Sequence, residues 1–136
     1  MSSDGDRSEF LVISRGQWSP KLSRDEIQAA IDEFYVWHDR LVGEGRMRPG
    51  SRLADTGRTV HGNGLVTDGP YGETKEVIGG FWTILARDLD EAARIGAQNP
   101  CLRCGLFFEL RPLESLNVFT DAATTETPRG RRDGGA

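Results

Sequence analysis

The 136-residue sequence is poor in the side chains that most often carry metal or covalent chemistry, with two cysteines and two histidines. So few cysteines argue against a disulfide-stabilised scaffold, and with no basic-then-apolar leader they predict a protein of the reducing cytoplasm. The sequence also has no apolar run near the length of a membrane span. Its net charge of −4 and pI near 5.2 argue against general binding to nucleic acids or anionic membranes.

The composition is that of one ordinary globular domain with a polar tail. Hydrophobic residues make up 37% of the chain and charged residues 28%. We expect a flexible N-terminus over residues 1–8, one domain over residues 9–113 and a largely disordered tail over residues 114–136. The end of the tail is rich in Thr, Pro, Gly, Arg and Asp, and such a segment buries too little apolar surface to offset the entropy of ordering.

Periodicity and capping residues predict the secondary structure. A helix is expected after Ser23, because Glu26 completes a capping box, and a second helix after Asp88. Asn63-Gly64 lies between two short β-rich runs and predicts a hairpin. The remaining strands are expected at residues 9–15, 46–55, 79–86 and 106–111.

This order of elements is the split βαβ arrangement of a ferredoxin-like α+β domain, with an extra β-hairpin. Two helices can cover only one face of a four-stranded sheet. The strands at residues 10–13, 81–85 and 106–110 nevertheless carry apolar side chains in both registers. A second copy of the same sheet would bury the other face with two-fold symmetry, so we expect a homodimer.

A polar loop leads into the strand at residues 79–86, and its turn is fixed by glycine and proline. It reads Asp68-Gly69-Pro70-Tyr71, then Glu73-Thr74-Lys75-Glu76 and Gly79-Gly80. This pattern resembles the YCII-related, DGPF-domain family, which has Phe at the position of Tyr71. Residues 109–113 resemble the closing strand of that family. The resemblance implies a ferredoxin-like fold that pairs into a dimeric α+β barrel, and it implies no single reaction.

Asp68 and His38 are the candidate acid/base residues. Asp68 either acts as a general base or accepts hydrogen bonds within its own turn, and the turn is the more common role. His38 lies on the apolar stripe of the first helix, so it is either a satisfied core histidine or an acid/base group in a cavity. In some proteins of the family a His–Asp pair is the proposed catalytic unit, and the resemblance places its histidine near Phe34. His38 is therefore a displaced counterpart of that histidine.

Candidate ligand-binding residues surround the same loop. Lys75 is suited to an anionic group, and Tyr71 to stacking or hydrogen bonding, although a loop anchor is the commoner role of such a tyrosine. Acidic side chains of the loop are also expected to pair with an arginine, which would shape a polar pocket. The proposed ligand-binding set is Arg58, Tyr71, Glu73, Lys75 and Glu76.

We expect neither a metal nor a cofactor. Cys101 and Cys104 form a CxxC that follows a helix, whereas redox CxxC motifs open one. The motif supplies two of the four ligands that a structural zinc needs, so buried structural thiols are favoured. The sequence has no phosphate-binding glycine loop in a strand–turn–helix context and no Gly-x-Ser-x-Gly elbow.

Two functions from different classes fit these residues. The resemblance extends to dehydrochlorinase and muconolactone-isomerase relatives and implies a cofactor-free enzyme that transfers a proton on an organic acid or lactone-like substrate. In it Asp68 is the base, His38 its partner, and Lys75 or an arginine binds the carboxylate. The alternative is a non-catalytic ligand-binding or regulatory module, since family members occur beside extracytoplasmic-function sigma factors. The sequence leaves open whether the chain is an enzyme.

Overall fold

Strands and helices follow one another in the predicted order. The computed structural model describes residues 7–69 and 78–114. Its elements are β1 (Ser8–Gly16), α1 (Arg24–Gly43), β2 (Met47–Arg52), β3 (Arg58–Val60), β4 (Val66–Asp68), β5 (Ile78–Ala86), α2 (Leu89–Gly96), a 3₁₀ helix (Pro100–Cys104) and β6 (Leu106–Pro112). None of the helices in this described part is both long and apolar enough to cross a bilayer.

The main sheet has four antiparallel strands in the order β2-β5-β1-β6. Counting only these four strands in chain order, this is the 4-1-3-2 arrangement of a ferredoxin-like domain, which confirms the predicted fold class. β3 and β4 form a separate antiparallel hairpin. Its turn is stabilised by a hydrogen bond from the Leu65 amide to Asn63 Oδ1, and Gly64 adopts a φ of 84° there.

Helix α1 begins at the predicted capping box. The Glu26 amide donates to Ser23 Oγ, while the Ser23 amide donates to the Glu26 carboxylate. The helix buries Ala30, Trp37 and Leu41 against the rest of the domain. Helix α2 is capped by Asp88, whose side chain accepts from the Glu91 amide.

Both helices pack on one face of the sheet. That face is formed by alternate residues of β1 and β5, and the opposed pairs Phe10–Ile84 and Val12–Trp82 lie at its centre, each residue less than a tenth exposed. Gly96 of α2 is buried against β6, where a Cβ would make an ordinary van der Waals contact with Leu110 at 3.5 Å. The helix-facing register of β1 and β5 therefore forms the buried core.

The opposite face of the sheet carries apolar side chains that no described element covers. Phe81 is 39% exposed and Phe107 42% exposed, and the partly buried Leu11 and Ile13 of β1 lie on the same face, with Ile13 opposite Phe81. Arg15 and Arg111 both pair with Glu109 on this face. The two guanidinium groups hold the pKa of the Glu109 carboxyl below its usual range, the hydrogen bond from Arg15 being the larger cause.

A short 3₁₀ helix follows α2. Helix α2 ends at Gly96, three residues before Asn99. Asn99 caps the 3₁₀ helix, because its side chain accepts from the Cys101 amide at 2.8 Å. A two-point pair from Arg103 to Glu33 then ties the 3₁₀ helix to α1, which positions the nearby thiols.

Candidate functional site

A cavity of about 420 Å³ lies between α1 and one end of the sheet. Its walls come from α1, the second half of β2, the start of β5 and the start of β6. Aromatic rings form much of this wall, namely Trp18, Phe34, Tyr35, Trp82 and Phe108. Cavities of roughly 300–1,000 Å³ with apolar walls are typical of small-molecule sites.

The cavity forms where the helix-facing layer of the sheet lacks large side chains. Val12 and Trp82 fill this layer at the centre of the sheet, but the next pair toward the cavity is Ser14 opposite Gly80. A serine and a glycine cannot reach α1, so space remains beneath the helix. The glycine is also required by the backbone, because a Cβ at Gly80 would lie 2.8 Å from the Ser51 carbonyl oxygen.

A bulge in β2 brings polar residues to the mouth of the cavity. The β2–β5 register shifts between Arg48 and Ser51, at Pro49-Gly50. Gly50 packs directly on the Phe81 peptide, where a Cβ would overlap the carbonyl oxygen and lie 2.9 Å from Trp82 Cα. The polar lining residues are Ser14, Gln17, His38, Ser51, Arg52 and Asp55.

His38 projects from α1 into this cavity with its side chain 11% exposed. Its Nδ1 lies 3.0 Å from Asp39 Oδ1, and its ring centre lies 5.5 Å from that of Phe34. Since a carboxylate only accepts hydrogen bonds, Nδ1 carries the proton that it donates. Nε2 has no hydrogen-bond partner among the described residues and is therefore the basic nitrogen of the neutral ring.

Asp68 lies elsewhere. It ends β4, and its Oδ1 lies 3.2 Å from Nε of Arg58 in the hairpin, with both side chains more than 60% exposed. Neither residue lines the cavity that contains His38. The structure therefore does not bring the predicted His38–Asp68 pair together there. The other predicted ligand-binding residues, Tyr71, Glu73, Lys75 and Glu76, lie outside the described residues.

The two thiols belong to the core beneath the cavity. Both are buried in a cluster with Ala30, and Cys101 also contributes to the cavity wall. Burial raises the pKa of the Cys101 thiol to about 11, assisted by the charge of Cys104 and opposed by those of Arg103 and Arg52. Within residues 7–69 and 78–114, no three His, Cys, Asp or Glu side chains are arranged to bind a metal ion.

Sequence reasoning missed the charged pair at the cavity mouth, Arg52 and Asp55. Within the described chain neither side chain takes part in an ion pair. The sequence does contain a signal for the cavity, because Pro49-Gly50 and Gly79-Gly80 place residues with little or no side chain within two strands.

The comparisons with known proteins agree with this architecture. The model of the YCII-related domain matches residues 10–114. The chain is also 34% identical over 100 residues to an uncharacterised protein of Rhizobium meliloti (strain 1021), an alignment that covers 67% of this chain and 78% of the relative. The family match spans the sheet, both helices and all residues of the cavity. This chain is a member of the YCII-related domain family.

Proposed function

We propose that this chain binds a small organic acid with a planar, largely apolar body in the cavity beneath α1. The observation that carries the proposal is the cavity itself, about 420 Å³ in volume, with an aromatic wall and one histidine. Aromatic rings favour a planar partner through stacking and edge contacts. Arg52 at the mouth is suited to the acid group, since a guanidinium matches a carboxylate with two parallel hydrogen bonds.

Proton transfer is the reaction that this site supports. Nε2 of His38 accepts a proton from a carbon or oxygen of the ligand, and Asp39 stabilises the imidazolium that results. The same nitrogen then returns the proton to another ligand atom, so the ring ends in its starting state. The aromatic wall excludes water from the reacting atoms and so strengthens the His38–ligand interaction. No group outside the chain is needed for such a step.

Ligand binding without turnover is the second candidate. Two observations favour it: Phe34 occupies the position near which the family resemblance places a histidine, and Asp68 pairs with Arg58 outside the cavity. A protein of this kind would report the presence of its ligand to a partner. The association with a sigma factor remains a prediction from the family resemblance.

We also propose that a second copy of the chain covers the open face of the sheet, as in a dimeric α+β barrel. The support is the row of exposed or half-buried apolar residues on that face, including Phe81 and Phe107. An uncovered apolar surface of this extent is uncommon on a monomer. Glu109 pairs with Arg15 and Arg111 within its own chain, so this carboxylate already has partners before association.

Binding is tested with phenylpropionate, read by the fluorescence of Trp18 and Trp82 in a Trp37→Phe background, because Trp37 is buried outside the cavity. Ser14→Leu should fill the cavity and weaken binding at least about tenfold, a loss of about 1.4 kcal/mol. Ser8→Leu, on the same face at the far end of β1, is the matched control. Equal binding by both variants would place the ligand elsewhere.

Proton transfer is tested separately by incubating the protein with unsaturated lactones in D₂O and following deuterium uptake by proton NMR. We expect uptake that His38→Gln abolishes while phenylpropionate binding persists. Uptake that survives in this variant would exclude His38 as the base. Binding with no uptake in the wild type would favour the non-catalytic function.

A further inference from the structure

We infer that the cavity selects a zwitterion, an aromatic compound that carries both a carboxylate and an ammonium group, as an aromatic amino acid does. The inference rests on the proposed function, because it uses the same cavity. The inference is supported by the positions of Arg52 and Asp55, two side chains of opposite charge that line the same cavity as the aromatic rings.

The two charges lie three positions apart, where β2 ends and its following loop begins. No ion pair joins them, and neither pairs with any other side chain in residues 7–69 and 78–114. Both side chains are exposed, where an ion pair between them would gain little. Here each charge remains available to a ligand group of the opposite sign.

A ligand of one charge fits this mouth poorly. A simple carboxylate is attracted by Arg52 but repelled by Asp55. A simple amine, which is protonated at neutral pH, is attracted by Asp55 but repelled by Arg52. A zwitterion satisfies both side chains at once. His38 also lines the cavity, and its Nε2 has no hydrogen-bond partner among the described residues. An imidazole carries no negative charge when neutral or protonated, so His38 does not repel the carboxylate of the ligand.

The wall of the cavity favours an aromatic body. Phe34, Trp82 and Phe108 form a continuous series, with ring centres 5.2 Å apart between the first two and 5.5 Å between the last two. Tilted rings at this spacing present both edges and faces, to which another ring packs well. An ammonium group near such rings gains a further cation–π attraction.

Three ligands that differ only in their charged groups test the inference. Phenylalanine carries both groups, phenylpropionate lacks the ammonium group and phenethylamine lacks the carboxylate. We expect phenylalanine to bind the wild-type protein at least about tenfold more tightly than either analogue, as measured by isothermal titration calorimetry. This comparison needs no variant and so does not depend on the folding of a mutant.

Charge-removing variants then assign the two groups. Arg52→Gln should reduce the affinity for phenylalanine at least about fivefold, and its affinity for phenethylamine should be unchanged or higher. Asp55→Asn should reduce the affinity for phenylalanine to a similar degree, and its affinity for phenylpropionate should be unchanged or higher. Arg94→Gln and Asp90→Asn on α2, outside the cavity, are the matched controls and should change nothing.

The possible failures are distinguishable. If phenylpropionate binds as tightly as phenylalanine, and Asp55→Asn has no effect, the zwitterion inference is overturned while the organic-acid site stands. If phenethylamine alone binds tightly, both the zwitterion and the organic acid are excluded. If none of the three binds, the cavity does not take aromatic ligands and the proposed function fails with the inference.

Discussion

The imidazole of His38 donates a hydrogen bond from Nδ1 to the carboxylate of its immediate neighbour, Asp39, across 3.0 Å. Adjacent residues on a helix usually point about a quarter turn apart, and here the contact joins a nearly buried ring, 11% exposed, to a carboxylate that is 76% exposed. The carboxylate fixes the tautomer, and the tautomer leaves Nε2 as a base in the cavity. Asp39 is therefore a positioning residue for His38.

The first prediction concerns this tautomer. In Asp39→Ala, the Nδ1–H form of neutral His38 should lose its preference, because its acceptor is gone. Long-range proton–nitrogen NMR distinguishes the two forms. His61 is the internal reference, since its Nε2 lies 3.1 Å from Thr67 Oγ1, far from the substitution in sequence. An unchanged His38 tautomer would show that Asp39 does not position the ring.

The second prediction concerns Gly50. Gly50→Ala places a methyl group against the Phe81 peptide, and β2 must move away from β5 to accommodate it. We expect a loss of roughly 1–3 kcal/mol in the free energy of unfolding, together with weaker binding of phenylpropionate. Urea denaturation followed by tryptophan fluorescence measures the first quantity.

Gly43→Ala is the matched control for Gly50→Ala. A Cβ at Gly43 meets no atom within 4 Å, and the residue lies in the last turn of α1. Alanine should leave the stability unchanged or raise it by up to about 1 kcal/mol. Equal stability of the two alanine variants would mean that β2 does not depend on the close approach at Gly50.

Much of the fold follows from local signals in the sequence. The capping box at Ser23, the hairpin at Asn63-Gly64 and the alternation in β1 each rest on residues that interact within a few positions or along one strand. Their order was enough to predict the ferredoxin-like sheet. The 3₁₀ helix that Asn99 caps was not predicted, because an Asn-Pro pair after a helix is equally typical of a simple helix stop.

The candidate site was less predictable because it depends on small residues that meet across strands far apart in the sequence. A cavity arises where Ser14 and Gly80 happen to be opposed, and that register is set across 66 positions of chain. Asp68 was predicted as the partner of His38 from the His–Asp pair of the family resemblance, and Asp39 was not considered because consecutive helix positions rarely face each other. Arg52 was passed over because its approach to the cavity depends on the bulge at Gly50.

The third prediction uses the thiol of Cys101. Because burial raises its pKa to about 11, the folded protein holds this group as the unreactive thiol near neutral pH. At about pH 8, alkylation of Cys101 by iodoacetamide should be at least about a hundredfold slower in the folded protein than in guanidinium, where the pKa returns to roughly 8.5.

The pH dependence of that alkylation has a definite sign. The rate in the folded protein should rise about tenfold per pH unit up to about pH 11, since only the thiolate reacts, and it should level off above that value. Peptide mass spectrometry separates Cys101 from Cys104. A rate that levels off near pH 9 would show that the Cys101 thiol is solvated rather than buried.

The fourth prediction tests the homodimer through Phe107, which is 42% exposed on the open face of the sheet. In a two-fold interface Phe107→Glu would bury two uncompensated carboxylates, one from each copy. Burial of unpaired charge is costly, so the dissociation constant should rise at least about a hundredfold, or about 2.7 kcal/mol. Sedimentation velocity at micromolar protein concentration measures the change from dimer to monomer.

Val36→Glu provides the control for a new charge on an exposed apolar residue. Val36 is 72% exposed on α1, on the other side of the sheet from Phe107, so the glutamate should remain in water and leave the dimer intact. If both variants dissociate, the association does not use the open face. If the wild type is itself a monomer at this concentration, the apolar row on β1, β5 and β6 has a different partner, and the barrel expected from the family resemblance does not form in this chain.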